Sequence, residues 1–157
     1  MIHRNLKYRR NDRLEKRLLP LLCNRVFHVT TRDAFAKILE TGSIYPNPSG
    51  LLRYTCGQSE KSFFRQRSCV SFVDLRTVTP QELDDGLMKY YFLNPSFADN
   101  QPVVLILSPS FFGELVPWTR WKSEQAWADI VVPFIEAGFP GGVGIDAIEE
   151  ALIITIE

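Results

Sequence analysis

The sequence predicts an α+β fold: a single domain with a mixed, split or bent β-sheet, and helices mainly in its N-terminal half. Three observations predict it. Short β-prone runs outnumber the secure helices, and those helices fall in the first 95 residues. Val103-Val104-Leu105-Ile106-Leu107 is an almost continuous apolar run bounded by prolines, the pattern of a central strand buried on both faces. A second apolar run, Ala151 to Ile156, reads as a closing strand of the same sheet.

The elements follow in order. Residues 11–19 present Leu14, Leu18 and Leu19 on one helical face, and Pro20 is expected to break that helix. Arg25 to Val29 is β-prone. Thr30 or Thr31 then offers a hydroxyl cap to a helix carrying Phe35, Ile38 and Leu39, and Gly42 sits where a left-handed C-terminal residue is expected. Residues 46–60 hold two prolines and two glycines without periodicity, so they read as a long loop. Phe63-Phe64 restarts order in a short helical turn, and Cys69-Val70-Ser71-Phe72-Val73 is a strand. Thr79 caps a helix opened by Pro80, with Leu83, Leu87, Tyr90 and Tyr91 on one face; it ends before Asn94-Pro95. Pro109 to Trp121 is an aromatic-rich connection. Ala126 to Val132 reads as a strand, and Gly138-Phe139-Pro140-Gly141-Gly142 as a turn cluster.

Composition is that of a globular chain, 45% apolar and 23% charged. The formal charge is zero but unevenly spread. Arg4 to Arg17 holds seven basic residues against Asp12 and Glu15, so this stretch is +5. The remaining eleven basic and sixteen acidic residues give −5. Residues 1–22 therefore read as a basic arm and helix ahead of a domain over 23–157. Such an arm can attract nucleic acid through residues 4–17, or simply be solvated. Leu18-Leu19-Pro20-Leu21-Leu22 is too short and interrupted for a membrane span or a signal peptide core, so a cytoplasmic location is expected by default and no membrane partner.

Several chemistries lack their residues. Cys23, Cys56 and Cys69 are an odd number with no C-x-x-C spacing and read as small apolar fillers; with two histidines, no metal site is expected. There is no G-x-S-x-G elbow, P-loop or G-x-G-x-x-G, and nothing near Cys69 suggests an activated thiolate. Gly141-Gly142-Val143-Gly144 lacks the Lys-Ser/Thr ending of a phosphate cradle. What remains is His28, at the point where a strand hands over to a helix, a place where side chains border clefts on a rigid frame.

His28-Val29-Thr30, the helix with Ile38-Leu39 ending at Gly42, the short run Ser43-Ile44 and the strand Val70-Ser71-Phe72 resemble the opening of the ADP-ribosyltransferase fold, as in the DarT-like and RNA 2′-phosphotransferase-like groups. The stretch Trp121 to Val132 and the last strand match that fold loosely. The resemblance implies NAD as a substrate and ADP-ribose transfer to a protein or nucleic acid. His28 would hydrogen-bond the nicotinamide ribose, with Thr30 behind it. Tyr45 or Phe72 would stack on the nicotinamide ring, Ser71 would line the cleft, and Arg53, Arg65 or Arg67 would meet the pyrophosphate. A carboxylate would then stabilise the oxocarbenium-like centre as nicotinamide leaves. No Glu-x-Glu pair stands at the expected strand. Glu124 and Asp129 compete for that role, and a non-catalytic binding module on the same fold is the alternative.

Overall fold

The computed structural model describes residues 1–9, 12–50, 60–90 and 101–157. Expectations for Arg53, Cys56, Tyr91 and the stretch before Asn94-Pro95 fall outside these residues. So does most of the 46–60 loop.

Nine strands and five helices follow one another as β1 (Ile2–Tyr8), α1 (Leu14–Leu22), β2 (Val26–Thr31), α2 (Arg32–Thr41), β3 (Ser43–Ile44), α3 (Phe63–Gln66), β4 (Cys69–Asp74), α4 (Pro80–Lys89), β5 (Pro102–Leu107), β6 (Val116–Pro117), α5 (Thr119–Ser123), β7 (Glu136–Pro140), β8 (Val143–Gly144) and β9 (Ile148–Ile156) among the described residues. A seven-stranded sheet runs in the order β1-β9-β5-β2-β4-β7-β6, and β3 and β8 form a separate two-stranded ribbon. Among the named strands of the described residues, β1 and β9 pair in parallel and the other pairs are antiparallel. The fold is a single mixed α+β domain.

Local signals set the helices. Thr31 accepts from the Ala34 amide at 3.2 Å, and Gly42 closes α2 with a φ of 71°. At α4, Thr79 and Glu82 exchange hydrogen bonds in a capping box behind Pro80. Burial sets the sheet: all six residues of β5 are buried between β9 and β2.

Side chains alternate across the sheet. One face carries Phe27, Val73, Val104, Ile106, Leu152 and Ile154, covered by Leu18 and Leu22 of α1 and Leu87 of α4. The other carries Val26, Phe72, Val103, Leu105 and Ala151, covered by Phe35 and Ile38 of α2 and by the β3–β8 ribbon.

Three expectations are corrected. The N-terminal segment is no solvated arm: Ile2 to Tyr8 pair residue for residue with Glu150 to Ile156, and Tyr8, Leu18 and Leu22 are core. Pro20 lies inside α1 rather than ending it; the burial of Leu18 and Leu22 on either side offsets the missing amide bond. The run Ala126 to Val132 is a turn whose Ile130 makes one isolated bridge to Ser62, while Gly138, Phe139 and Pro140 of the expected turn cluster belong to strand β7 and the chain turns only at Gly141, with a φ of 73°. Gly138 explains the exchange. A Cβ at this position would run into the Phe64 ring, so the residue is glycine because a side chain from α3 occupies its face. Of the cysteines, Cys69 is buried but Cys23 is exposed.

Candidate functional site

His28 stands on β2 beside β4, and its side chain shares a face with Phe72, their rings 5.8 Å apart. His28 Nδ1 lies 2.9 Å from the backbone oxygen of Ser71. A carbonyl can only accept, so Nδ1 carries the proton and Nε2 keeps a lone pair. Burial lowers the His28 pKa, and the Ser71 carbonyl only partly opposes it. The ring is therefore neutral near pH 7, with Nδ1 donating to the Ser71 carbonyl and Nε2 left as an acceptor. Thr30, two residues along the strand and half-buried, falls on the same face.

The other expected ligands are distributed unevenly. Phe72 is buried, with His28 on one side and Phe139 on the other, so it has no open face for a nicotinamide ring. Tyr45, following β3, is 56% exposed. Arg65 is buried and its Nε donates to the Asn47 carbonyl at 2.9 Å, fastening the start of the loop to α3. Arg53 is outside the described residues.

Arg67 brings both candidate carboxylates together. Its Nη2 donates to Glu124 Oε2 at 2.7 Å and its Nη1 to Asp129 Oδ2 at 3.0 Å, while the guanidinium lies 3.7 Å from the centre of the Phe63 ring. Burial alone would lower the Arg67 pKa; the hydrogen bonds and charges of Glu124 and Asp129 outweigh it and raise the value. Asp129 is further fixed by Trp121, whose Nε1 donates to its backbone oxygen at 3.0 Å.

This cluster lies on the opposite side of the sheet from His28. Phe27 pairs with Val73, which pairs with Glu136, and Ser71 pairs with Gly138. Paired residues share a face and neighbours alternate. His28 therefore points away from the side on which Phe64 covers Gly138. Phe64 belongs with Phe63, Val131, Trp118 and Trp121 in the small core beneath the Arg67 cluster.

A third carboxylate, missed in the sequence, sits on that same side. Glu136 Oε1 accepts from Ser71 Oγ at 2.8 Å and Oε2 from the Val132 amide at 2.7 Å. Burial raises its pKa, and these two donors offset that only in part. The only sequence signal was its place before Gly138, and that glycine read as a turn. Ser71 thus bridges the faces, its carbonyl on His28 and its hydroxyl on Glu136.

Nε2 of the neutral His28 is an acceptor, the role that a hydroxyl donor requires. Burial raises the Cys69 pKa, and its Sγ donates to the Arg67 carbonyl at 3.5 Å. Among the described residues no group of His, Cys, Asp and Glu could hold a metal ion, and no helix is long and apolar enough to cross a membrane. No family model, curated protein or solved structure matches the chain.

Proposed function

We propose that this chain is a nucleotide-binding module of ADP-ribosyltransferase-like design, which takes NAD at the His28 face without transferring ADP-ribose. The observation that carries the reading is the fixed neutral imidazole: Nδ1 is committed to the Ser71 carbonyl, leaving Nε2 to accept from a ribose hydroxyl. Thr30 adds a second hydroxyl on the same face, and the exposed Tyr45 is the remaining candidate to stack on a base. What supports the absence of transfer is Arg67. It neutralises Glu124 and Asp129 on the far side of the sheet, where neither can stabilise positive charge developing beside His28.

A second reading keeps the reaction and transfers ADP-ribose to a protein or nucleic acid. The same cluster favours it in one respect, because a pyrophosphate that captured Arg67 would release both carboxylates. Calorimetric titration with NAD, paired with an assay for released nicotinamide, separates the two. Binding that His28→Ala abolishes, with no nicotinamide released, supports the module. Nicotinamide release that Glu124→Gln or Asp129→Asn abolishes establishes transfer instead. No binding at millimolar NAD in a folded sample overturns both.

A further inference from the structure

β1 ends the sheet, and among the described residues its outer edge pairs with no strand. The ladder fixes which backbone groups face outward. The Glu157 amide donates to the Tyr8 carbonyl at 2.9 Å, so Tyr8 turns its backbone groups toward β9. Alternation turns those of Leu6, Arg4 and Ile2 the same way. His3, Asn5 and Lys7 consequently present their N–H and C=O groups to the open edge, a row spaced for another extended chain.

Charge selects that chain. Arg4 and Lys7 stand on β1 and Arg9 just after it, and Arg17 of α1 comes beside them near Tyr8, with Asp12 as the neighbouring acid. At the C-terminal end of the strand a cavity of about 330 Å³ is lined by Lys7, Tyr8, Arg9, Asp12, Arg17 and Glu157. Lys7, Arg9 and Arg17 outnumber its two carboxylates: Asp12 lies 3.6 Å from Arg17 and accepts from the Arg9 amide at 3.0 Å, and Glu157 lies 3.3 Å from Lys7, which leaves the cavity with one basic side chain in excess. A second copy docking edge to edge would set Arg4 and Lys7 against their own kind, which like charges oppose. Nucleic acid would satisfy the charge but leave the outward amides and carbonyls of His3, Asn5 and Lys7 unused.

We infer that β1 is a docking edge for an acidic, extended polypeptide segment, which adds to the sheet as a further strand and seats an acidic side chain in the cavity beside Arg17. Backbone pairing supplies the geometry and the basic edge supplies the selection.

The test is fluorescence anisotropy of a labelled peptide, Thr-Glu-Val-Glu-Val-Glu-Thr, titrated with the whole protein. Saturable binding is expected. Asn5→Pro deletes one outward N–H without touching the β9 ladder, and at an edge position proline is tolerated. It should weaken binding at least tenfold with an unchanged melting temperature. Lys7→Glu disturbs only a solvent-exposed pair, 74% and 64% exposed, and should do the same through charge; it decides the matter if Asn5→Pro fails to fold. Three results would overturn the inference. One is no peptide binding. Another is full binding by folded Asn5→Pro or Lys7→Glu. The third is tighter binding of an oligonucleotide of equal charge that folded Asn5→Pro leaves unaffected, which would assign the edge to nucleic acid. Concentration-dependent dimers without peptide binding would assign it to a second copy and equally reject the acidic partner.

Discussion

The carbonyl oxygen of Ser71 accepts from His28 Nδ1 at 2.9 Å, while the hydroxyl of the same serine donates to Glu136 at 2.8 Å on the other side of the sheet. One residue of β4 thus holds two titratable groups that burial drives to their neutral forms, an imidazole on one face and a carboxyl on the other. The consequences for pH run in opposite directions.

For His28, burial makes the folded state disfavour the imidazolium. The unfolded chain takes up that proton near the ordinary value of 6.5, so stability falls as pH drops from 6.5 toward the lowered folded value. His28→Gln removes this contribution. Urea unfolding of the variant and the natural chain, at about pH 7.5 and about pH 5.5, should show the variant gaining relative stability at the lower pH. A difference independent of pH would contradict the burial of a neutral ring.

Glu136 behaves in reverse. Its folded pKa lies above the ordinary 4.5, so its contribution is full below 4.5 and is lost as pH rises through the raised value. Glu136→Gln holds a neutral group in the same place and should gain on the natural chain as pH increases over that window. Parallel stability curves for the two proteins would show that the carboxylate ionises freely in the fold.

Gly138 is closed to any side chain by the Phe64 ring. Gly138→Ala should cost about 1–3 kcal/mol, the range for overpacking a filled site. Phe64→Leu alone loses packing in the small core but vacates part of that space. Combined, the two changes should cost less than their sum by at least about 0.5 kcal/mol in a double-mutant cycle. Strict additivity would mean the two residues do not meet.

Much of the frame was legible from short-range chemistry. The Thr31 and Thr79 caps, the left-handed Gly42 and the apolar β5 each state their structure within a few residues. The failures share a different cause, partners distant in sequence. β1 turns Leu6 and Tyr8 to the core, but the intervening charges mask this until β9, well over a hundred residues on, supplies the ladder. Pro20 breaks an isolated helix and survives here because Leu18 and Leu22 are buried in the core. Gly138 reads as a turn unless Phe64 is known to lie over it, and with that misreading went Glu136. His28 is conspicuous in the sequence as the histidine outside the N-terminal stretch, but β2 runs on to Thr31, so it stands within the strand and not where strand gives way to helix. That Glu124 and Asp129 are joined by Arg67, away from His28, rests on the pairing of β2, β4 and β7, which the sequence does not reveal.

Arg67→Met keeps apolar contact with Phe63 but leaves Glu124 and Asp129 unpaired. Because Arg67 and Glu124 are 35% and 37% exposed, solvent screening limits the loss to about 1 kcal/mol. Asp129 is only 17% exposed, so Asp129→Asn should cost more than Glu124→Gln. NAD binding should survive all three changes. Loss of NAD binding in Arg67→Met at unchanged fold would move the nucleotide to the Arg67 side of the sheet.

The most direct measurement is nitrogen NMR of protein labelled at its histidine side chains, recorded near pH 7 with and without NAD, using His28→Gln to assign the signals. The account predicts that His28 is neutral with its proton on Nδ1, and that saturating NAD shifts the Nε2 resonance as it accepts a hydroxyl. A proton on Nε2 in the free protein, or an Nε2 signal unmoved by millimolar NAD, would contradict it.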